Sequence, residues 1–141
     1  MWRVEARIAR DLVGPTVDGV VIDLGCGSGE LVRVIRPKIG IGIDLNKQAI
    51  QLARADDGGY DFRIGDAAEP RLLDESVDCI VHMHLFEHLS EPKSALRSWH
   101  KALKPGGRLV ILTPKGDFSH PEEFDDTDHK HSTAAGACGS P

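Results

Sequence analysis

Residues 20–24, Val-Val-Ile-Asp-Leu, run straight into Gly25-Cys26-Gly27-Ser28-Gly29-Glu30. Three glycines at alternate positions weaken regular structure, and each tolerates backbone angles that a Cβ forbids. An apolar strand that ends in such a loop and leads into a helical pattern is the opening of an α/β unit. Its loop lies where a nucleotide-like ligand can approach the main chain.

The rest of the chain repeats this rhythm. Short apolar runs at 20–24, 39–45, 60–64, 77–84 and 108–113 read as strands. Helical periodicity fills 2–13, 31–36, 47–56 and 91–104. In the first helix Trp2, Ala6, Ala9, Leu12 and Val13 share a face. In the third, Ala49, Ile50, Leu52 and Ala53 point inward. The last helix presents Ala95, Leu96, Trp99, Ala102 and Leu103, and Pro105-Gly106-Gly107 ends it. The expected fold is α/β, a Rossmann-like doubly wound parallel sheet of about five strands with helices on both faces. A chain of 141 residues holds one such domain, and with 5% aromatic residues its core is mainly aliphatic.

Buried parallel strands are apolar almost throughout. Here polar residues gather at their C-terminal ends: Asp23, Asp44, Asp66, and His82 or His84. Ligands of open α/β sheets bind at those ends. Glu30 at the start of the following helix is unfavourable for a pyrophosphate, and no Gly-Lys-Ser/Thr follows for a P-loop. The acidic, glycine-rich loop suits a ligand that is nucleoside at one end and cationic amino acid at the other. Asp44 can accept both hydroxyls of a ribose or cap the next helix, a role for which Asn46 competes. Asp66 can accept from an adenine amino group, with the Ala67 N–H facing the ring, or it can close a turn.

VVIDLGCGSGE, IGIGIDLN, FRIGDAAE, VDCIVHMHLFEHL and LKPGGRLVILTP together resemble the class I S-adenosylmethionine-dependent methyltransferases. They are most similar to the small type 11 group that includes quinone-biosynthesis-type enzymes. The resemblance runs from about residue 18 to residue 131 and implies S-adenosyl-L-methionine as cofactor and a small-molecule methyl acceptor. It places Asp23, Gly25, Gly27 and Gly29 around the methionine part, Asp44 at the ribose and Leu45 against the adenine; Cys26 counts among the cofactor-binding residues as small packing within the loop. Asp66 and Ala67 read the adenine edge, and the chain from His82 to Leu85 covers the sulfonium. Candidates for a catalytic base are His84, Glu87 and His88. Glu87 and His88 have a second reading, as residues that cap and orient their loop. The rival function is a domain that binds the cofactor or a partner without catalysis.

Net charge −5 argues against a nucleic-acid partner that needs a broad basic surface. No apolar run has the length of a bilayer span, so no membrane association is expected. The first helix carries Arg3, Arg7 and Arg10, but Glu5 and Asp11 dilute that charge, and it is read as packed on the domain. Three scattered cysteines form no CxxC pair, which points to a reducing cytoplasm. His120, Asp125, Asp126, Asp128, His129 and His131 are read as a solvated acidic loop, with no metal site expected. The resembled enzymes continue into a C-terminal antiparallel strand pair, about 50 residues that are missing here by ordinary element lengths. The expected layout is a cofactor-binding core at 1–115 and a loop and disordered tail at 116–141. The fifth strand then has an open edge, through which a homodimer is possible.

Overall fold

The computed structural model describes residues 2–56, 58–113 and 136–139. Helix α1 (Trp2–Val13) buries Ala6, Ala9 and Val13, whose spacing keeps them on one face. A short 3-10 turn at Gly14–Asp18 turns the chain into β1 (Val20–Leu24). There follow α2 (Glu30–Ile35), β2 (Ile39–Asp44), α3 (Lys47–Ala55), β3 (Asp61–Ile64), β4 (Val77–Met83), α4 (Pro92–Ala102), β5 (Leu103–Leu112) and β6 (Gly136–Gly139). The left-handed Arg36, with Pro37 behind it, stops α2. Asn46 caps α3 by accepting the Ala49 N–H at 3.2 Å.

The sheet order is β3-β2-β1-β4-β5-β6. The first five strands pair in parallel, as expected, and β6 pairs antiparallel to β5. The chain moves outward from β1 to β2 and β3, then returns to lay β4 on the other side of β1. That reversal opens a crevice at the C-terminal ends of β1 and β4. Strand residues alternate between two buried faces. Ile22, Ile80 and Trp99 belong to one core cluster, while Val21, Cys79 and Val81 pack with Ala6, Ala9 and Val13 in the other. Helix α1 is thus a packed part of the domain.

Three expectations are corrected. Leu52 points outward, and α3 is held by Ile50 and Ala53. Helix α4 ends before Pro105, because the Lys101 and Ala102 carbonyls accept the Glu75 and Ser76 N–H groups. Leu103 then pairs with Val77, and the strand register shifts before Arg108 meets Cys79. The third correction concerns the β5 edge, which is covered by β6: Arg108 pairs with Gly139 and Ile111 with Gly136. Main-chain pairing needs no β-prone side chain, which is why a Gly/Ala segment carried no strand signal. The expected boundary at 115–116 and the rest of the tail lie outside the described residues.

Candidate functional site

The glycine loop is built on main-chain bonds to the neighbouring strand. Gly25 and Cys26 donate their N–H groups to the Ile43 carbonyl at 2.7 and 3.1 Å. Gly25, Gly27 and Gly29 all have positive φ. A Cβ on Gly27 would meet nothing within 4 Å, since that position opens onto a cavity. Gly29 differs: a Cβ there would lie 2.6 Å from the Phe62 ring, and it lines neither cavity described below. Its role is close packing. The Arg33 guanidinium ties the loop to α3 by donating to the Ser28 carbonyl at 2.7 Å and the Ala53 carbonyl at 2.9 Å.

Asp44 secures the loop from the end of β2. One carboxylate oxygen accepts the Gly27 N–H at 2.8 Å, and the other accepts the Asn46 N–H at 2.8 Å. The α3 cap is therefore Asn46, and the Asp44 carboxylate keeps lone pairs on both oxygens at the crevice. Asp66 accepts the Ala68 N–H at 2.9 Å, so it does close a turn. The Trp99 indole N–H donates to the Ala67 carbonyl at 2.8 Å and fixes this turn from the core.

Two cavities of about 430 Å³ each meet at Gly25, Met83 and His84. The first also has Asp23, Cys26, Gly27 and Glu30 on its wall, with Trp2 of α1. The second has Asp44, Leu45, Asp66, Ala67, Leu85 and His88. Asp23 is 2% exposed and one of its carboxylate oxygens has no hydrogen-bond partner. Burial, with the Asp44 and Glu30 charges adding, holds its carboxyl well above the ordinary range. Glu30 accepts the Ser28 hydroxyl, which keeps its carboxylate beside the same cavity. The first cavity is acidic with an apolar rim, suited to a small cation.

His84 has φ 58, and its N–H donates to the Leu112 carbonyl at 2.7 Å. Its Nε2 lies 3.1 Å from the Glu5 carboxylate on α1. Of the three base candidates, it alone stands where the cavities join. His88 is on the rim of the second cavity, 3.6 Å from Glu87, and Glu87 lines neither. His82 is a correction. Its ring is fully buried between Phe86 and Trp99, 6.1 and 5.0 Å between centroids, and outside both cavities. Strand alternation turns it to the core, and Met83 takes the position expected of it. Sequence reasoning also missed Trp2, Glu5 and Arg33. Glu5 and His84 are 79 positions apart, and no local pattern joins them.

Burial pushes the Cys26 thiol up, and that of Cys79 to about 11. Among the described residues no group of three His, Cys, Asp or Glu could hold a metal ion, and no helix is long and apolar enough to cross a membrane. The tail residues His120 to His131 lie outside that description.

Residues 22–111 match the family model of the methyltransferase domain. A probable S-adenosylmethionine-dependent methyltransferase of Mycolicibacterium smegmatis is 32% identical over 97 residues, 67% of this chain and 37% of that protein. The ubiquinone/menaquinone biosynthesis C-methyltransferase of Pseudomonas savastanoi is 29% identical over 132 residues, 86% of this chain and 50% of that protein. The YcgJ protein of Bacillus subtilis has the same fold, with TM-score 0.74 and 22% identity over 83% of this chain and 53% of its own. This chain thus spans between 37% and 50% of the length of these two curated relatives.

Proposed function

Since this chain belongs to the methyltransferase domain family, with S-adenosyl-L-methionine as its cofactor, we propose that it transfers a methyl group to a small-molecule acceptor at the junction of the two cavities. The observation that carries this reading is Asp23. Its carboxyl is buried with one oxygen unpartnered, and its ionisation is opposed first by that burial and then by the Asp44 and Glu30 charges. A cationic group placed in the cavity is therefore favoured there, while the Glu30 carboxylate on the same wall repels a dinucleotide pyrophosphate.

In this reading the first cavity takes the methionine end and the second takes the adenosine. Asp23 and Glu30 face the ammonium group, and Gly27 leaves the space. The Asp44 oxygens, each already accepting one N–H, accept the two ribose hydroxyls with their remaining lone pairs. Exposed Leu45 lies against the adenine, and Asp66 with Ala67 reads its edge. The bound cofactor supplies a methyl group on a sulfonium whose leaving group needs no proton. Met83 and His84 border that methyl group. Alignment of the acceptor supplies much of the acceleration. His84 takes a proton only when the acceptor carries one to lose. The free, buried Cys26 and Cys79 support a reducing, cytoplasmic setting.

Calorimetry with S-adenosylhomocysteine tests the reading. The ammonium group of the ligand favours ionised Asp23, so binding releases a proton and tightens as pH rises, by at most about tenfold per unit. Asp23→Asn abolishes that dependence. Asp44→Ala weakens binding by on the order of 2–4 kcal/mol, the loss of two hydrogen bonds to a charged acceptor. Unchanged affinity in Asp44→Ala together with an unchanged pH dependence in Asp23→Asn overturns the site, and tighter binding of NAD overturns the cofactor assignment. Saturable binding without methyl transfer to any acceptor would favour the non-catalytic rival.

A further inference from the structure

Helix α1 reaches the site through one polar contact. Glu5 stands in its first turn, where a carboxylate is favoured by the helix dipole. Ala6, Ala9 and Val13 anchor the helix in the core beneath β4 and β5, which decides where Glu5 is delivered. On the other side, the left-handed His84 backbone is tied to the Leu112 carbonyl. Both ends of the Glu5–His84 contact are therefore held by packed structure. The two side chains are 29% and 38% exposed, so water screens the pair only in part.

We propose that Glu5 is a positioning residue for His84. Its carboxylate accepts the Nε2–H of the neutral imidazole, which fixes the ring and its tautomer and leaves Nδ1 as the basic nitrogen. This rests on the reading of His84 as the base. As the acceptor atom forms its bond to the methyl carbon, the carbon–sulfur bond breaks and its electron pair stays on sulfur. The acceptor's proton passes to Nδ1. The Glu5 carboxylate then faces the resulting imidazolium, and the proton leaves to solvent. Trp2, one turn before Glu5 on the same helix, lines the first cavity. On this account α1 belongs to the methyl-transfer site and is more than a surface cover.

The test uses the full chain, labelled with ¹⁵N-histidine and saturated with S-adenosylhomocysteine. The wild type is expected to show a hydrogen-bonded Nε2–H resonance for His84. Glu5→Ala loses it to solvent exchange, and Glu5→Gln, whose amide oxygen can still accept, restores it in part. S-adenosylhomocysteine affinity stays within about twofold in both, since Glu5 lines neither cavity. A panel of proton-bearing acceptors, phenols and thiols, then separates two roles. Glu5→Ala lowers kcat by about tenfold or more, out of the 10²–10⁴ that a base contributes, with KM for the cofactor unchanged. No hydrogen-bonded Nε2–H in the wild type, or one unaltered in Glu5→Ala, overturns the inference while the base reading stands. Full activity in His84→Asn overturns the base reading itself.

Discussion

Asp23 and His82 are the two buried polar side chains of the described core, and burial works on them in opposite directions. It raises Asp23 and lowers His82 from 6.5 to about 4. Asp23 was legible in the sequence because an acid two residues before the first loop glycine has a chemical reason to be there. His82 was misplaced because a strand end does not reveal which face a residue takes. Its pairing in register with Ile111 and its neighbours Phe86 and Trp99 decide that. The stability consequence is measurable. An unfolded chain protonates His82 near pH 6.5, whereas the fold resists until about pH 4. The contribution of neutral His82 is therefore complete above pH 6.5 and is lost as pH falls toward 4. At pH 5 the loss is on the order of 2 kcal/mol. Asp23 acts the other way, because the fold binds its proton before the unfolded chain does. Comparison with His82→Leu isolates the histidine. Denaturant melts should show the variant gaining on the wild type between pH 7 and pH 5, and parallel curves would mean the ring is solvated.

At the scale of elements, the strand–loop–helix unit around residues 20–35 was readable because three separate demands agree there. An apolar strand, glycines and a helical pattern follow in order. The α4–β5 junction was not readable. Pro105-Gly106-Gly107 looks like a helix stop, yet the helix is ended earlier by two N–H donors from residues 75 and 76, which no local pattern connects to it. The loop glycines, alike in sequence, are predicted to behave differently. Gly27 opens on the cavity, so Gly27→Val costs the fold only the left-handed backbone, about 1–2 kcal/mol, and fills the ligand's space. Gly29→Ala drives a Cβ toward the Phe62 ring and strains the seat of α2. Thermal melts and S-adenosylhomocysteine titration should part them. Gly27→Val stays folded and does not bind, whereas Gly29→Ala loses stability first. Normal binding by folded Gly27→Val would reduce the loop to a connection.

The whole molecule adds what neither residues nor elements contain, namely which distant pieces meet. The parallel sheet follows from the alternation of strands and helices. The reversal at β1, the arrival of Glu5 at His84 and the return of residues 136–139 to β5 are matters of three-dimensional closure. The last of these changes what an expected open edge implies. Strand β5 carries Leu109, Val110 and Ile111, a β-prone apolar run that would recruit a second chain if its main-chain groups were unpaired. With β6 in place, those groups are satisfied within one molecule across four residue pairs. The full chain is therefore expected to scatter light as a monomer, with β5 amides protected from hydrogen exchange on the side facing β6. Deleting residues 136–141 removes the cover and leaves the five parallel strands intact. That variant should self-associate and lose protection at residues 108–111, while still binding S-adenosylhomocysteine, since the two cavities proposed for the cofactor lie at the ends of β1 to β4, away from β6. A full chain that is already dimeric, with the same β5 protection before and after deletion, would show that the edge is paired between molecules and not by its own tail.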